Sequence, residues 1–445
     1  MRALVVLIVL AGCGDQIHQE VVEDAVSGTR LKVVWTFYGD GSRQPETDAY
    51  FDIDLPARCA PVLWRDDVDR CAPTADEAFY VDALCTETVG RADVITKPSF
   101  FIGYDFVGTH RLPARLYRAG PPTDAITTIY ERVDGECRGP FQTTAEVPYF
   151  ELRDETHGEN LVELRDSELG AEDDRIGVLV RTSADGLRVT LGLHDRVLDV
   201  PCRASSRPEG TVCKPAIGVA HQYIDSACEQ PAIVVFGNEP VGPVLARGDS
   251  AGCPAYFSPG PMISGPVYQR VGTTCSRVVL DPLERAYPLG APLALPILER
   301  TVEARPGPRL QRIALASGSL AFYDERMFDT ATRGDCERTP FEDVTRCVPS
   351  SALPVVRLFT EGCALEIPVA EVPEQTCEPI TFAVGLTEEI KPELRAIGDR
   401  ASSALFTGGP GACTPYVAPA GTVPHLLGPA LPEDTFVGGH VAGER

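Results

Sequence analysis

Leu31-Lys32-Val33-Val34-Trp35-Thr36-Phe37, followed by Asp40-Gly41, is the stretch on which the fold turns. Its β-branched and aromatic residues suit a pleated strand, and Asp-Gly supplies a tight turn. The same order returns twice. Ile176 to Val180 precedes Asp185-Gly186 and then Leu187-Arg188-Val189-Thr190-Leu191; Ile313 to Ala316 precedes Ser317-Gly318 and then Leu320 to Tyr323. The 40 glycines and 39 prolines keep apolar runs short, at about four to eight residues, the length of strands rather than helices. The expected fold class is all-β. Only Thr387 to Arg400 has helical character, and Pro392 interrupts it.

The cysteines follow the same period. The first of each unit is Cys59, Cys202 and Cys336, and the second comes 12, 11 and 11 positions later at Cys71, Cys213 and Cys347, each opening Cys-x-Pro. The third, Cys85, Cys228 and Cys363, follows Tyr80-Val81-Asp82, Tyr223-Ile224-Asp225 and the looser Phe359-Thr360-Glu361. The fourth is Cys137, Cys275 and Cys413, each seven residues after an aromatic: Tyr130, Tyr268 and Phe406. An aspartate stands seven residues before each first cysteine, at Asp52, Asp195 and Asp329. So many shared offsets mean internal triplication, which has to be read before any local motif. A common start at Arg30, Arg175 and Arg309 marks β repeats at 30–174, 175–308 and 309–445, with periods of 145 and 134 residues. The last residues, from Val437 on, begin the motif that opens each unit, as though the chain stopped at the threshold of a fourth.

No Pro/Ser/Gly linker separates the units; each runs into the next through a segment such as Ala286-Tyr287-Pro288-Leu289-Gly290. Two architectures fit. Each unit could supply two four-stranded blades to a closed six-bladed β-propeller, or the units could be three β-sandwich-like domains in a row. The unbroken continuity favours the ring.

The N-terminus reads as an address. Arg2, an apolar run from Ala3 and then Leu10-Ala11-Gly12-Cys13 have the layout of a lipoprotein signal peptide over 1–12, with Cys13 as the lipid attachment site. The run is too short for a membrane helix, which needs about 20 residues. Residues 13–29 would then tether the fold to the lipid. Gly14 rather than Asp follows the cysteine, so the expected location is the outer membrane, on its periplasmic or cell-surface face.

Fifteen cysteines less Cys13 leave fourteen, an even number in an exported chain and the composition of a disulfide framework. Thiolate metal binding is the weaker reading, since no Cys-x-x-Cys occurs. Unit one has four cysteines and closes most simply as Cys59–Cys71 and Cys85–Cys137. Units two and three each carry a fifth, Cys253 and Cys377, where unit one has Thr96. Five is odd, so full pairing needs a bridge between these two units; Cys275–Cys413 is one candidate, with Cys228–Cys253 and Cys363–Cys377 closed locally.

The formal charge of -24 repels nucleic acid and anionic head groups, so no nucleic-acid partner is expected. Arg247-Gly248-Asp249-Ser250-Ala251-Gly252 has a trypsin-like ring, but Ala251 replaces a glycine and His221 lies only 29 residues upstream, so a turn beside a cysteine is the better reading. The seven histidines form no metal motif. Asp66-Asp67, Asp173-Asp174 and Asp52-x-Asp54 complete no calcium loop. Asp52, Asp195 and Asp329 could line a common channel; accepting backbone N–H bonds at a turn explains their repetition more simply. No cofactor and no metal are expected.

The blocks Cys-x(10–11)-Cys-x-Pro and Tyr-[Val/Ile]-Asp-x-x-Cys, with the terminal Val423-Pro424-His425-Leu426-Leu427-Gly428 and Leu431-Pro432-Glu433-Asp434-Thr435-Phe436-Val437, resemble uncharacterised cysteine-rich repeat lipoproteins of the myxobacterial type. The resemblance covers all three units; the third matches best and the first departs at Thr96. It implies a secreted, disulfide-bonded β protein and brings no activity with it. The expected function is a non-enzymatic binding or scaffold module of the envelope or surface, held to the membrane by its lipid, with a protein or glycan ligand. The alternative is an extracytoplasmic, glycosidase-like hydrolase with acidic residues at a propeller centre.

Overall fold

The computed structural model describes residues 21–92, 98–107, 110–124, 126–143, 147–215, 219–220, 222–236, 242–246, 255–271, 274–341, 344–374, 380–386, 392–409, 412–419, 421–432 and 435–443. Among them the chain is nearly all strand, with two single-turn 3-10 segments at Gly158–Asn160 and Glu361–Cys363.

Each unit has two halves. The first half is a four-stranded antiparallel meander: Leu31–Tyr38, Arg43–Asp52, Ala57–Leu63 and Asp69–Pro73 in unit one. Unit two repeats it as Ile176–Ser183, Arg188–Asp195, Val200–Arg207 and Gly210–Pro215. Unit three repeats it as Leu310–Ser317, Leu320–Asp329, Gly334–Phe341 and Val344–Pro349. Ile176, Val178 and Val180 are buried on one face of their strand, whereas Leu31–Tyr38 is buried on both faces, Val34 and Thr36 as fully as Leu31 and Val33. Within each core a cystine ties the last two strands together, Cys59–Cys71, Cys202–Cys213 and Cys336–Cys347.

The second half is a small separate sheet. In unit one Asp76–Tyr80 pairs with Thr88–Arg91, which pairs with Tyr149–His157, then His110–Thr123, then Phe100–Val107, which returns in parallel to Asp76–Tyr80. That circuit is a closed five-stranded barrel. Unit three has the same order of pairings through Leu353–Phe359, Glu366–Pro373, Thr422–Ala430, Pro392–Arg400 and Phe382–Leu386. Unit two keeps it, with Val219–Ala220 and Gln222–Tyr223 in the place of the first strand.

The meanders do not stand apart. The strand that ends each unit pairs with the first strand of the next: Leu164–Leu169 with unit two, Ile297–Val302 with unit three. The last, Gly438–Gly443, pairs with Leu31–Tyr38 of unit one, so the chain closes on itself. The three meanders, these linking strands and two short N-terminal strands make one 17-stranded sheet.

The structure therefore differs from both expected architectures. A propeller needs six separate blades, and a row of sandwiches needs three separate cores; here one half of every unit is hydrogen-bonded into a shared sheet while the other half forms its own. The parallel return strand was not legible in a strand-turn-strand pattern, which predicts antiparallel neighbours alone. Of the stretch read as helical, residues 387–391 lie outside the described residues, and Pro392–Arg400 is a strand, with proline tolerated as its first residue and Leu394 buried.

The cystine pairing is also corrected. Cys228 pairs with Cys275 and Cys363 with Cys413, matching Cys85–Cys137 of unit one. The repeat decides it: all three third cysteines stand at positive φ, between 51° and 55°. In each copy the cystine pins this loop to an outer hairpin. Cys275–Cys413, Cys228–Cys253 and Cys363–Cys377 are thereby excluded. Cys253 and Cys377 lie outside the described residues, as does Cys13.

Candidate site between the three units

The repeated arginines and aspartates meet. Asp52, Asp195 and Asp329 are fully buried, and each takes a two-pronged ion pair from the arginine that opens its unit. The closest contacts are 2.7 Å for Arg30–Asp52, 2.8 Å for Arg175–Asp195 and 2.6 Å for Arg309–Asp329. Each also accepts a backbone N–H two residues on, from Asp54, Val197 and Ala331. These carboxylates lock turns and line no channel.

The hairpin tips reach across to neighbouring units. Asp185, in the turn of unit two, accepts the N–H groups of Arg30 and Leu31 at 2.7 Å each. Asp40, in the turn of unit one, accepts the N–H of Leu310 at 2.6 Å. Unit three has no turn aspartate, and the polarity reverses: its Ser319 donates to Asp174, the residue immediately before the Arg175 that opens unit two, 2.6 Å from the hydroxyl. Unit two clasps one, one clasps three, three clasps two. A Cβ on Gly28 or Gly318 would run into the Asp185 or Asp174 carboxylate, so glycine is what lets these strands approach.

Part of the stretch expected to be tether belongs to the fold. Val21–Val22 runs parallel to Ala321 and Phe322 of unit three, and Ala25–Val26 pairs with Val189 and Arg188 of unit two. Between them Thr190 donates its N–H to the Asp24 carbonyl at 2.8 Å, and the Asp24 carboxylate pairs with Arg312. This strap therefore joins units two and three before the chain enters unit one.

Where the meanders meet lies a cavity of about 420 Å³. Unit one contributes Arg43, Gln44 and Pro45; unit two contributes Leu179, Leu191 and Arg203; unit three contributes Leu315, Tyr323, Asp324, Glu325, Glu337 and Arg338; the strap contributes Asp24. The walls are apolar patches interrupted by four arginines and four carboxylates, Arg312 included. Glu337 lines the cavity as an exposed residue; partial loss of water around it pushes its carboxyl above the ordinary range, with Arg326 opposing the shift and Glu325 adding to it.

The positions around the cavity are where the copies diverge. The residue after the first cysteine is Ala60, Arg203 and Glu337 in the three units. Repeat logic directs attention to identical positions, so none of these residues stood out in the sequence; that divergence was the signal available.

The other sequence candidates resolve as structure. The acidic pairs engage arginines or turns: Asp66 with Arg70 at 2.6 Å, Asp54 with Arg30 at 3.2 Å. His194 lies between Glu168 and Asp199, His425 bonds the Gly398 carbonyl, and His440 stacks on Phe37. Among the described residues no group of three His, Cys, Asp or Glu side chains could hold a metal ion. His18, His221 and the stretch Arg247–Gly252 lie outside the described residues. No helix among the described residues is long and apolar enough to cross a membrane.

The six cystines among the described residues are the mark of an oxidising, extracytoplasmic compartment. No curated protein and no solved structure matches the chain. A family model matches residues 6–436, almost the whole length, and the chain belongs to that family, a family of unknown function, DUF7481.

Proposed function

We propose that the protein is a non-enzymatic binding module, displayed on the outer membrane through a lipid on Cys13, that takes a small ligand into the cavity between its meanders. The cavity carries the reading. Its volume of about 420 Å³ falls in the range of small-molecule sites, roughly 300–1,000 Å³, and side chains from all three units build it. The alternative, a glycosidase-like hydrolase, needs two carboxylates free to act as acid and base. Asp324 is held by Arg326 at 2.6 Å and Glu325 by Arg203 at 3.5 Å, which leaves one uncommitted carboxylate and supports binding over catalysis.

The test is titration with N-phenyl-1-naphthylamine, a neutral apolar fluorophore, against wild type and Leu191→Trp, which fills the cavity. Saturable one-site binding, weakened at least tenfold in the variant with its melting temperature kept, is expected. Equal binding to both overturns the reading. For the anchor, fatty-acid labelling should vanish in Cys13→Ala; a labelled variant overturns it.

A further inference from the structure

The charged groups around the cavity answer one another, with one exception. Arg312 pairs with Asp24, Arg203 with Glu325 at 3.5 Å, Arg338 with Glu46 at 2.8 Å and Arg326 with Asp324 at 2.6 Å. Arg43 lies over the Trp35 ring at 4.1 Å. Glu337 remains. Among the described residues its carboxylate makes no hydrogen bond and no ion pair.

Glu337 is also firmly placed. It follows Cys336, whose cystine with Cys347 ties the strands Gly334–Phe341 and Val344–Pro349 together. The matching position holds Ala60 in unit one and Arg203 in unit two, so the unanswered carboxylate belongs to unit three alone. An anionic ligand would have to draw Arg43 off the Trp35 ring, Arg203 from Glu325 or Arg338 from Glu46, inside a chain whose formal charge of -24 already repels it. A cation meets a carboxylate that has no partner to lose.

Resting on the reading above that the cavity binds a ligand, we propose that this ligand is a small cationic amphipath of the alkylammonium kind. Its ammonium pairs with Glu337, and its apolar part lies against Leu179, Leu191 and Leu315. The apolar walls supply non-directional affinity, and the carboxylate selects the charge.

The experiment is displacement of N-phenyl-1-naphthylamine from the full oxidised chain at pH 7 by n-octylammonium, octanoate and octan-1-ol. Octylammonium should displace at least tenfold better than octanoate, and Glu337→Gln should erase that preference. Octanoate displacing as well as octylammonium, or a preference that survives Glu337→Gln, overturns the proposal with the cavity reading intact. A fluorophore that fails to bind, or binds Leu191→Trp equally, overturns the cavity reading itself and this proposal with it.

Discussion

The Asp40 carboxylate, at the hairpin tip of unit one, accepts the backbone N–H of Leu310 at 2.6 Å across 270 residues of sequence. With Asp185 on Arg30 and Leu31, and Ser319 on Asp174, it makes a cycle of three clasps in which every unit both holds and is held. Loss of one clasp should loosen the whole ring, because each fixes the strand that the next unit builds upon.

Asp185→Ala removes a carboxylate that accepts two inter-unit N–H bonds. Hydrogen bonds to a charged acceptor contribute about 1.5–3 kcal/mol each, so a loss of about 2–3 kcal/mol is expected in urea unfolding. Burial raises the Asp185 pKa, but the Ser183 hydroxyl and the amides of Leu31, Arg30 and Leu187 outweigh it, and the net position is below the ordinary value. A lowered folded pKa means the stabilisation is complete above the unfolded value, near pH 4, and is lost as pH falls through the folded one. Asp185→Asn should therefore lose less stability than wild type between pH 5 and 2. Parallel pH profiles for the two proteins would contradict this.

Arg309→Ala strands the Asp329 carboxylate, whose side chain is 1% exposed. Leaving a buried charge unpaired costs about 3 kcal/mol or more, and a clear fall in melting temperature should follow. The control is Arg165→Ala, which removes an ion pair to Glu163 between side chains 76% and 41% exposed; exposed pairs contribute at most about 1 kcal/mol. Similar effects from both would contradict the assignment of Asp329 as a buried lock.

Cystine mapping has a defined expected result. Among the described residues six pairs use twelve of the fourteen cysteines beyond Cys13; Cys253 and Cys377 lie outside those residues. An exported chain with an even set leaves no free thiol, so proteolysis without reduction should yield a peptide joining Cys253 to Cys377. Two titratable thiols per chain would contradict it.

Much of the fold was legible because triplication repeats its signals. Leu31 to Phe37 with Asp40-Gly41, and its two echoes, mark the first hairpin of every meander, and Cys59–Cys71 and Cys85–Cys137 pair as the spacing of unit one suggests. Arg30 and Asp52 were each visible as landmarks; their union was not, because spacing of 22 residues says nothing of who faces whom. The cavity was hidden for a deeper reason. It is lined where copies differ, as at Arg203 and Glu337, whose counterpart in unit one is Ala60, and a difference between repeats carries no signature until the ring brings the positions together.

The most direct measurement of the ring is a cross-link between its first and last strands. Phe37 and His440 are register partners in the pairing of Leu31–Tyr38 with Gly438–Gly443, their rings stacked 6.0 Å apart. Opposed residues in an antiparallel pair have Cβ atoms about 4.5–5.5 Å apart, close enough for a disulfide with slight adjustment. In the oxidised full chain carrying Phe37→Cys and His440→Cys, the account predicts an intramolecular peptide joining positions 37 and 440, with no change in the other cystines. Two free thiols at these positions, or linkage only between molecules, would contradict the closed ring.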